Sequence, residues 1–245
     1  MSDPLAPLLA LPGIDEAVRA ARDAVDAVHR HPTNRRGWPA TAAEASVRAA
    51  RASAVLDDGA ATIPESGAVT DPVLAGALRI AESIGPLLPV WQRAPLQALA
   101  RLHVLAAADL AASDDELGRP RPGRGAAARL DLLARLVAGG TSVPGPILVA
   151  VVHGELLTLA PFSTANGVVA RSAARLTAIS TGLDPKSLTV PEVFHLRRRD
   201  RYTSAAHAFG TGDRDGVTAW LLHCCEAIEA GAREAGSIAD AALTG

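Results

Sequence analysis

A chain of 245 residues that is 49% hydrophobic and 20% charged builds a folded core, which excludes a disordered or low-complexity protein. Its net charge of -2 argues against a generic nucleic-acid binder. No apolar run near 18 residues stands out and the start, Met1-Ser2-Asp3-Pro4, lacks a positive n-region, so neither a membrane span nor a secretory leader is expected.

Aromatic residues make up 3% of the chain, and alanine, leucine and arginine, all strong helix formers, dominate it. An all-α fold follows. The spacing predicts a helix over residues 14–31, stopped by Pro32, then a loop over 33–39. A second helix runs from Thr41 to Leu56 and ends at Asp57-Asp58-Gly59. After a loop over 60–70, Asp71 caps a helix with Pro72 at its first position, expected to end near Ile84 because Pro86 and Pro89 follow. Residues 95–112 are helical, with Leu96, Leu99, Leu102 and Leu110 among the apolar positions. A Gly/Pro/Arg linker from Gly118 to Gly125 leads into a helix over 126–138, ended by Gly139 and Gly140. Pro146 opens a helix to Thr158 whose core stripe is Leu148, Val152, Leu156 and Leu159. A loop at 160–166 precedes a helix from Gly167 to Ser180. A connection holding Pro185 and Pro191 follows, then a short helix over 199–209. Asp213 caps the last long helix, on which Val217, Trp220, Leu221, Cys224 and Ile228 share a face.

Cys224 and Cys225 are neighbours, with Cα atoms ~3.8 Å apart, short of the ~4.4–6.8 Å that disulfides prefer. They are expected to be buried free thiols of a reducing compartment, which points to the cytoplasm. His29 and His31 are two apart and do not share a helix face, and no His or Cys cluster has zinc spacing. No metal site is expected.

The loop and the helix after it carry the chemistry. Residues 160–171 read Ala-Pro-Phe-Ser-Thr-Ala-Asn-Gly-Val-Val-Ala-Arg. Asn166 and Gly167 stand at a helix N-terminus, where free N–H groups and the helix dipole favour an anion, and Arg171 follows one turn on. A blander reading stands beside this one: Asn-Gly is a good turn and capping pair, and Arg171 balances an acid.

This stretch resembles the motif of the Fic (Fido) family, His-Pro-Phe-x-Asp/Glu-Gly-Asn-Gly-Arg-x-x-Arg. Pro161, Phe162, Asn166, Gly167 and Arg171 match. The histidine position is Ala160, the acid Thr164, the first glycine Ala165 and the first arginine Val168. The flanks resemble the family too, at Leu102-His103, at His153 to Leu159, at Arg198 to Tyr202 and at Trp220 in the terminal helix. The resemblance implies a Fic-like helical domain over residues 71–235, an N-terminal helical region over 1–70 and a C-terminal tail over 236–245. Ser53 and Asp57 have the spacing of the family's inhibitory helix, with aspartate for glutamate, which implies an ion pair between Asp57 and Arg171. Where the family carries a β-hairpin flap, this chain has only the linker from Gly118 to Gly125, and proline cannot donate to a ladder.

In the family the histidine is a general base, the acid holds Mg²⁺ and the first arginine neutralises phosphate. Loss of a general base costs ~10²–10⁴ in rate, and loss of one electrostatic donor ~2.7–4 kcal/mol. His153 is the one nearby histidine in the preceding helix, two turns before Ala160, and is read as a buried core residue.

The expectation is a catalytically inactive Fic-like protein, a regulatory or interaction module with an unidentified protein partner. Residual binding of ATP or another nucleotide at Asn166, Gly167 and Arg171, with Mg²⁺ weakly held, is part of it. The alternatives are an AMP transferase with a non-standard site and a nucleic-acid-associated factor using Arg197, Arg198, Arg199 and Arg201.

Overall fold

The computed structural model describes residues 3–123 and 125–244, so Arg124 of the linker lies outside the described residues. Eleven α-helices are present among the described residues, and no strand. They are α1 (Ile14–Arg30), α2 (Pro32–Arg36), α3 (Trp38–Leu56), α4 (Pro72–Arg93), α5 (Pro95–Ala107), α6 (Ala126–Arg135), α7 (Gly145–Leu159), α8 (Asn166–Ser180), α9 (Pro191–Arg197), α10 (Arg199–Thr211) and α11 (Arg214–Thr244).

The central helix is α7. Residues Pro146 to Gly154 are all buried, because one face (Leu148, Val152, Leu156) enters a core shared with α3, α4, α5, α6 and α8. The other face (Ile147, Val149, Ala150, Val151) enters a second core with α1, α10 and α11. The single stripe read from the sequence is therefore half of what α7 buries, as expected for a helix apolar all round. Gly154 permits the close approach of α10 and α11: a Cβ there would sit 2.6 Å from Trp220 Nε1 and 2.7 Å from the Phe209 ring. Trp220 Nε1 donates to the Ala150 carbonyl at 2.8 Å, which satisfies the one polar atom of a fully buried indole.

Several boundaries differ from the sequence reading: Pro191 opens α9 inside the expected connection, and α5 stops at Ala107, short of residue 112. Residues 33–39 are no loop: α2 begins at Pro32 with the His31 side chain accepting from the Thr33 N–H, and α3 begins at Trp38. Proline suits the first turn of a helix because that N–H has no partner anyway. Pro86 and Pro89 do not end α4, which continues to Arg93. Glu82 and Gly85, whose carbonyls lose their donors, are exposed, and Leu87 and Trp91 anchor the last turns in the core. At 22 residues α4 is long and apolar enough to cross a membrane by length and composition alone, although Leu74, Ala77, Ile80, Ile84, Leu87 and Trp91 commit one of its faces to the core. Residues 236–244 continue α11, with Ile238 and Ala239 buried, where a tail was expected.

The terminating signal at Asp57-Asp58-Gly59 works as a Schellman motif. Asp58 takes the left-handed conformation (φ 63°), its N–H bonds the Val55 carbonyl at 3.1 Å, and the Gly59 N–H reaches the Ala54 carbonyl at 2.8 Å. This turn delivers the Asp57 side chain to the start of α8. Asp71 and Asp213 cap as expected, accepting from the Leu74 N–H and from the Asp215 and Gly216 N–H groups respectively.

Candidate functional site

The loop between α7 and α8 is held from within. The Asn166 amide closes it in both directions: Oδ1 accepts from the Phe162 N–H and Nδ2 donates to the Phe162 carbonyl, each at 2.9 Å. Asn166 is thus a loop brace, and its side chain does not face outward as an anion ligand. Phe162 is 1% exposed and stacks on His103 with ring centroids 4.1 Å apart. Both ends of the loop carry an alanine in left-handed conformation, Ala160 (φ 43°) and Ala165 (φ 55°). That conformation suits glycine and costs an alanine ~1–2 kcal/mol.

Ala165 is the N-cap of α8 and has no side chain to cap with. The first helix N–H groups would be left without acceptors. Asp57 supplies one. Its Oδ2 accepts from the Val168 N–H at 3.0 Å, and its Oδ1 accepts from Arg171 Nη2 at 2.8 Å. A Cβ on Gly167 would collide with this carboxylate, so glycine is required there for close approach. The carboxylate of Asp57 stands where the helix N-terminus and the arginine would otherwise present themselves to an external anion.

Arg171 is 3% exposed and fully committed. Nε donates to Ser53 Oγ at 2.8 Å, Nη2 to the Ser53 carbonyl at 2.9 Å, and Nη1 to the Tyr202 hydroxyl at 3.3 Å. Burial alone would pull the guanidinium pKa down, but Tyr202 and Asp57 reverse this and raise it. Burial also pushes the Tyr202 phenol up to about 12, against the pull of Arg171. The cavities that touch Arg171 measure about 40 Å³ and about 20 Å³, far below the ~300 Å³ of an ordinary ligand pocket. A groove of about 530 Å³ lies on the other side of Phe162, between Leu96 and Leu130.

Positions 160, 164 and 168 of the motif stretch carry no titratable side chain. The linker covers Ala160: the Arg121 N–H donates to the Pro161 carbonyl at 2.7 Å and Arg121 Nη2 to the Ala160 carbonyl at 2.9 Å. Thr164 Oγ1 is buried with no hydrogen-bond partner. The Val168 side chain is 2% exposed, in the core. Among the described residues no group of three or more His, Cys, Asp or Glu is arranged to hold a metal ion. Mg²⁺ prefers anionic oxygens in octahedral array, and the buried neutral hydroxyl of Thr164 does not offer that. Thr164 therefore does not fit as a Mg²⁺ ligand.

No sequence motif marks Tyr202, the only tyrosine, His195 or His223 as site residues. They form a buried polar cluster behind Arg171. His153 Nε2 meets the Tyr202 hydroxyl at 2.9 Å, and His195 Nδ1 meets His223 Nε2 at 3.1 Å. Burial lowers all three histidines, His153 to about 3, His223 to about 4 and His195 well below its ordinary value. These residues come from α7, α9, α10 and α11, and only the fold gathers them. His29 and His31 go to separate carboxylates, Asp184 at 2.9 Å and Asp240 at 3.1 Å. Cys224 and Cys225 are free and buried.

This all-α chain has the Fic fold, shown by its likeness to solved structures. Among solved structures, a Fic family protein from Desulfovibrio desulfuricans G20 is similar at a TM-score of 0.72, with 20% identity over 92% of this chain and 74% of that one. A fragment of Fic-1 from C. elegans is similar at 0.66, with 16% identity over 94% of this chain and 74% of that one. No protein-family model and no curated protein matches the chain.

Proposed function

We propose that this chain is a non-catalytic protein on the Fic fold, a regulatory or protein-interaction module whose anion position is filled by its own Asp57. The observation that carries this reading is the Asp57 carboxylate, bonded at once to the Val168 N–H and to Arg171. Ala160, Thr164 and Val168 offer no base, metal ligand or phosphate cation beside it. Any residual affinity for nucleotide requires Asp57 to leave. The free, buried Cys224 and Cys225 support work in a reducing compartment such as the cytoplasm.

Nothing in the site favours the other two readings. His153 is bound to Tyr202 and His103 is stacked under Phe162, so neither faces a target hydroxyl. Of the basic run, Arg197, Arg199 and Arg201 pair with the carboxylates of Glu234, Asp58 and Glu226, which reduces the charge it offers to an anionic partner.

The test is label transfer from ATP with Mg²⁺ or Mn²⁺, paired with calorimetry using ATP, ADP and AMP on the wild type and on Asp57→Ala. The expected result is no transfer by either protein, no binding by the wild type and measurable binding by the variant. Robust transfer that disappears in Arg171→Ala would overturn the proposal.

A further inference from the structure

We infer that Arg199 is the positioning residue for Asp57, acting as a solvent-accessible latch on the end of α3. The inference rests on the reading that Asp57 closes the anion position. Arg199 Nη2 donates to the Leu56 carbonyl at 3.1 Å and to Asp58 Oδ1 at 2.7 Å, so its two bonds flank Asp57 on either side. The Leu56 carbonyl belongs to the last turn of α3, where carbonyls have no intrahelical donor. Asp58 is the left-handed residue of the Schellman turn, so its side chain reports the geometry that aims Asp57.

Arg199 and Tyr202 are three apart on α10 and share a face. One helix therefore grips the clasp twice, Tyr202 on Arg171 and Arg199 beside Asp57. The two grips differ in environment. Arg171 is 3% exposed, whereas the side chains of Arg199 and Asp58 are 44% and 83% exposed. Salt weakens exposed pairs and spares buried ones. The latch is the part of the clasp that solvent composition reaches.

The Val168 amide reports the clasp directly. It is the third residue of α8, so its N–H has no intrahelical acceptor and only Asp57 protects it. The experiment is amide hydrogen exchange by NMR on the full chain. Arg199→Ala is expected to speed Val168 exchange about threefold to tenfold, with Arg199→Lys in between; Asp58→Asn, which removes the charge and tolerates the left-handed conformation, is expected to speed it less. Raising salt to about 0.5 M, where the screening length is about 4 Å, is expected to speed exchange in the wild type and not in Arg199→Ala. Val168 exchange that is unchanged in both Arg199→Ala and Asp58→Asn, or that rises only in step with core amides such as Val152, would overturn the latch. Faster Val168 exchange in Arg199→Ala and Asp57→Ala, with no ATP uptake by Asp57→Ala, supports the latch and removes the nucleotide-closing reading instead.

Discussion

Asp57 caps α8 from 111 residues away: its Oδ2 lies 3.0 Å from the Val168 N–H. A local cap is absent because Ala165, at the N-cap position, has no acceptor. The same carboxylate pairs with Arg171, so one side chain serves a helix dipole and a buried cation together.

Removing that carboxylate leaves a buried guanidinium and an uncapped N–H. Asp57→Ala is expected to cost about 2–4 kcal/mol, from a cap worth ~1 kcal/mol and an unpaired buried charge. Asp57→Asn keeps an acceptor for Val168 and is expected to cost less. Urea unfolding of the two variants measures both, and an alanine variant as stable as the wild type would sink the account.

Ala165 holds φ 55°, a conformation glycine adopts without strain. Ala165→Gly is expected to stabilise the protein by about 0.5–1 kcal/mol, because relief of the left-handed alanine exceeds the added freedom of the unfolded chain. Thermal unfolding will read this as a raised Tm.

Placing an arginine at position 168 is expected to damage the fold. The Val168 side chain is 2% exposed in the core, and a buried unpaired cation costs about 3–5 kcal/mol. Loss of soluble protein, or a lowered urea midpoint, is the expected outcome for Val168→Arg. A variant of unchanged stability would mean that the side chain escapes to the loop.

His153, His195 and His223 are held neutral by burial, with pKa values lowered in the folded state. The unfolded chain then binds more protons than the native one below pH ~6.5, so stability rises with pH there. Stability is expected to be full near pH 7 and to fall from about pH 6.5 towards pH 4, by up to ~1.4 kcal/mol per pH unit for each histidine. Unfolding midpoints between pH 7 and pH 4.5 check the slope, and His195→Gln is expected to flatten it.

Much of the helix map was legible in local signals. Asp71-Pro72, Asp57-Asp58-Gly59 and Asp213 act within one turn of where they stand, so spacing alone locates them. The prolines of α4 misled because their cost depends on whether the freed carbonyls face solvent, which spacing does not state. Residues 160–171 are legible through their resemblance to a known motif, and the Asp57–Arg171 ion pair through the spacing of Ser53 and Asp57 that the same resemblance picks out.

By itself the sequence determined an all-α chain and the side chains that stand at Ala160, Thr164 and Val168, because residue identity is the same in any fold; the pairing of Asp57 with Arg171 was implied only by the resemblance to a known family. Only the tertiary structure decided that Asn166 braces the loop, that Asp57 lies on the Gly167 backbone and that Tyr202, His153, His195 and His223 close behind Arg171. The physical reason is that a backbone N–H becomes a binding group only when its helix start is left uncapped, and which distant side chain reaches it depends on how α3, α8 and α10 pack.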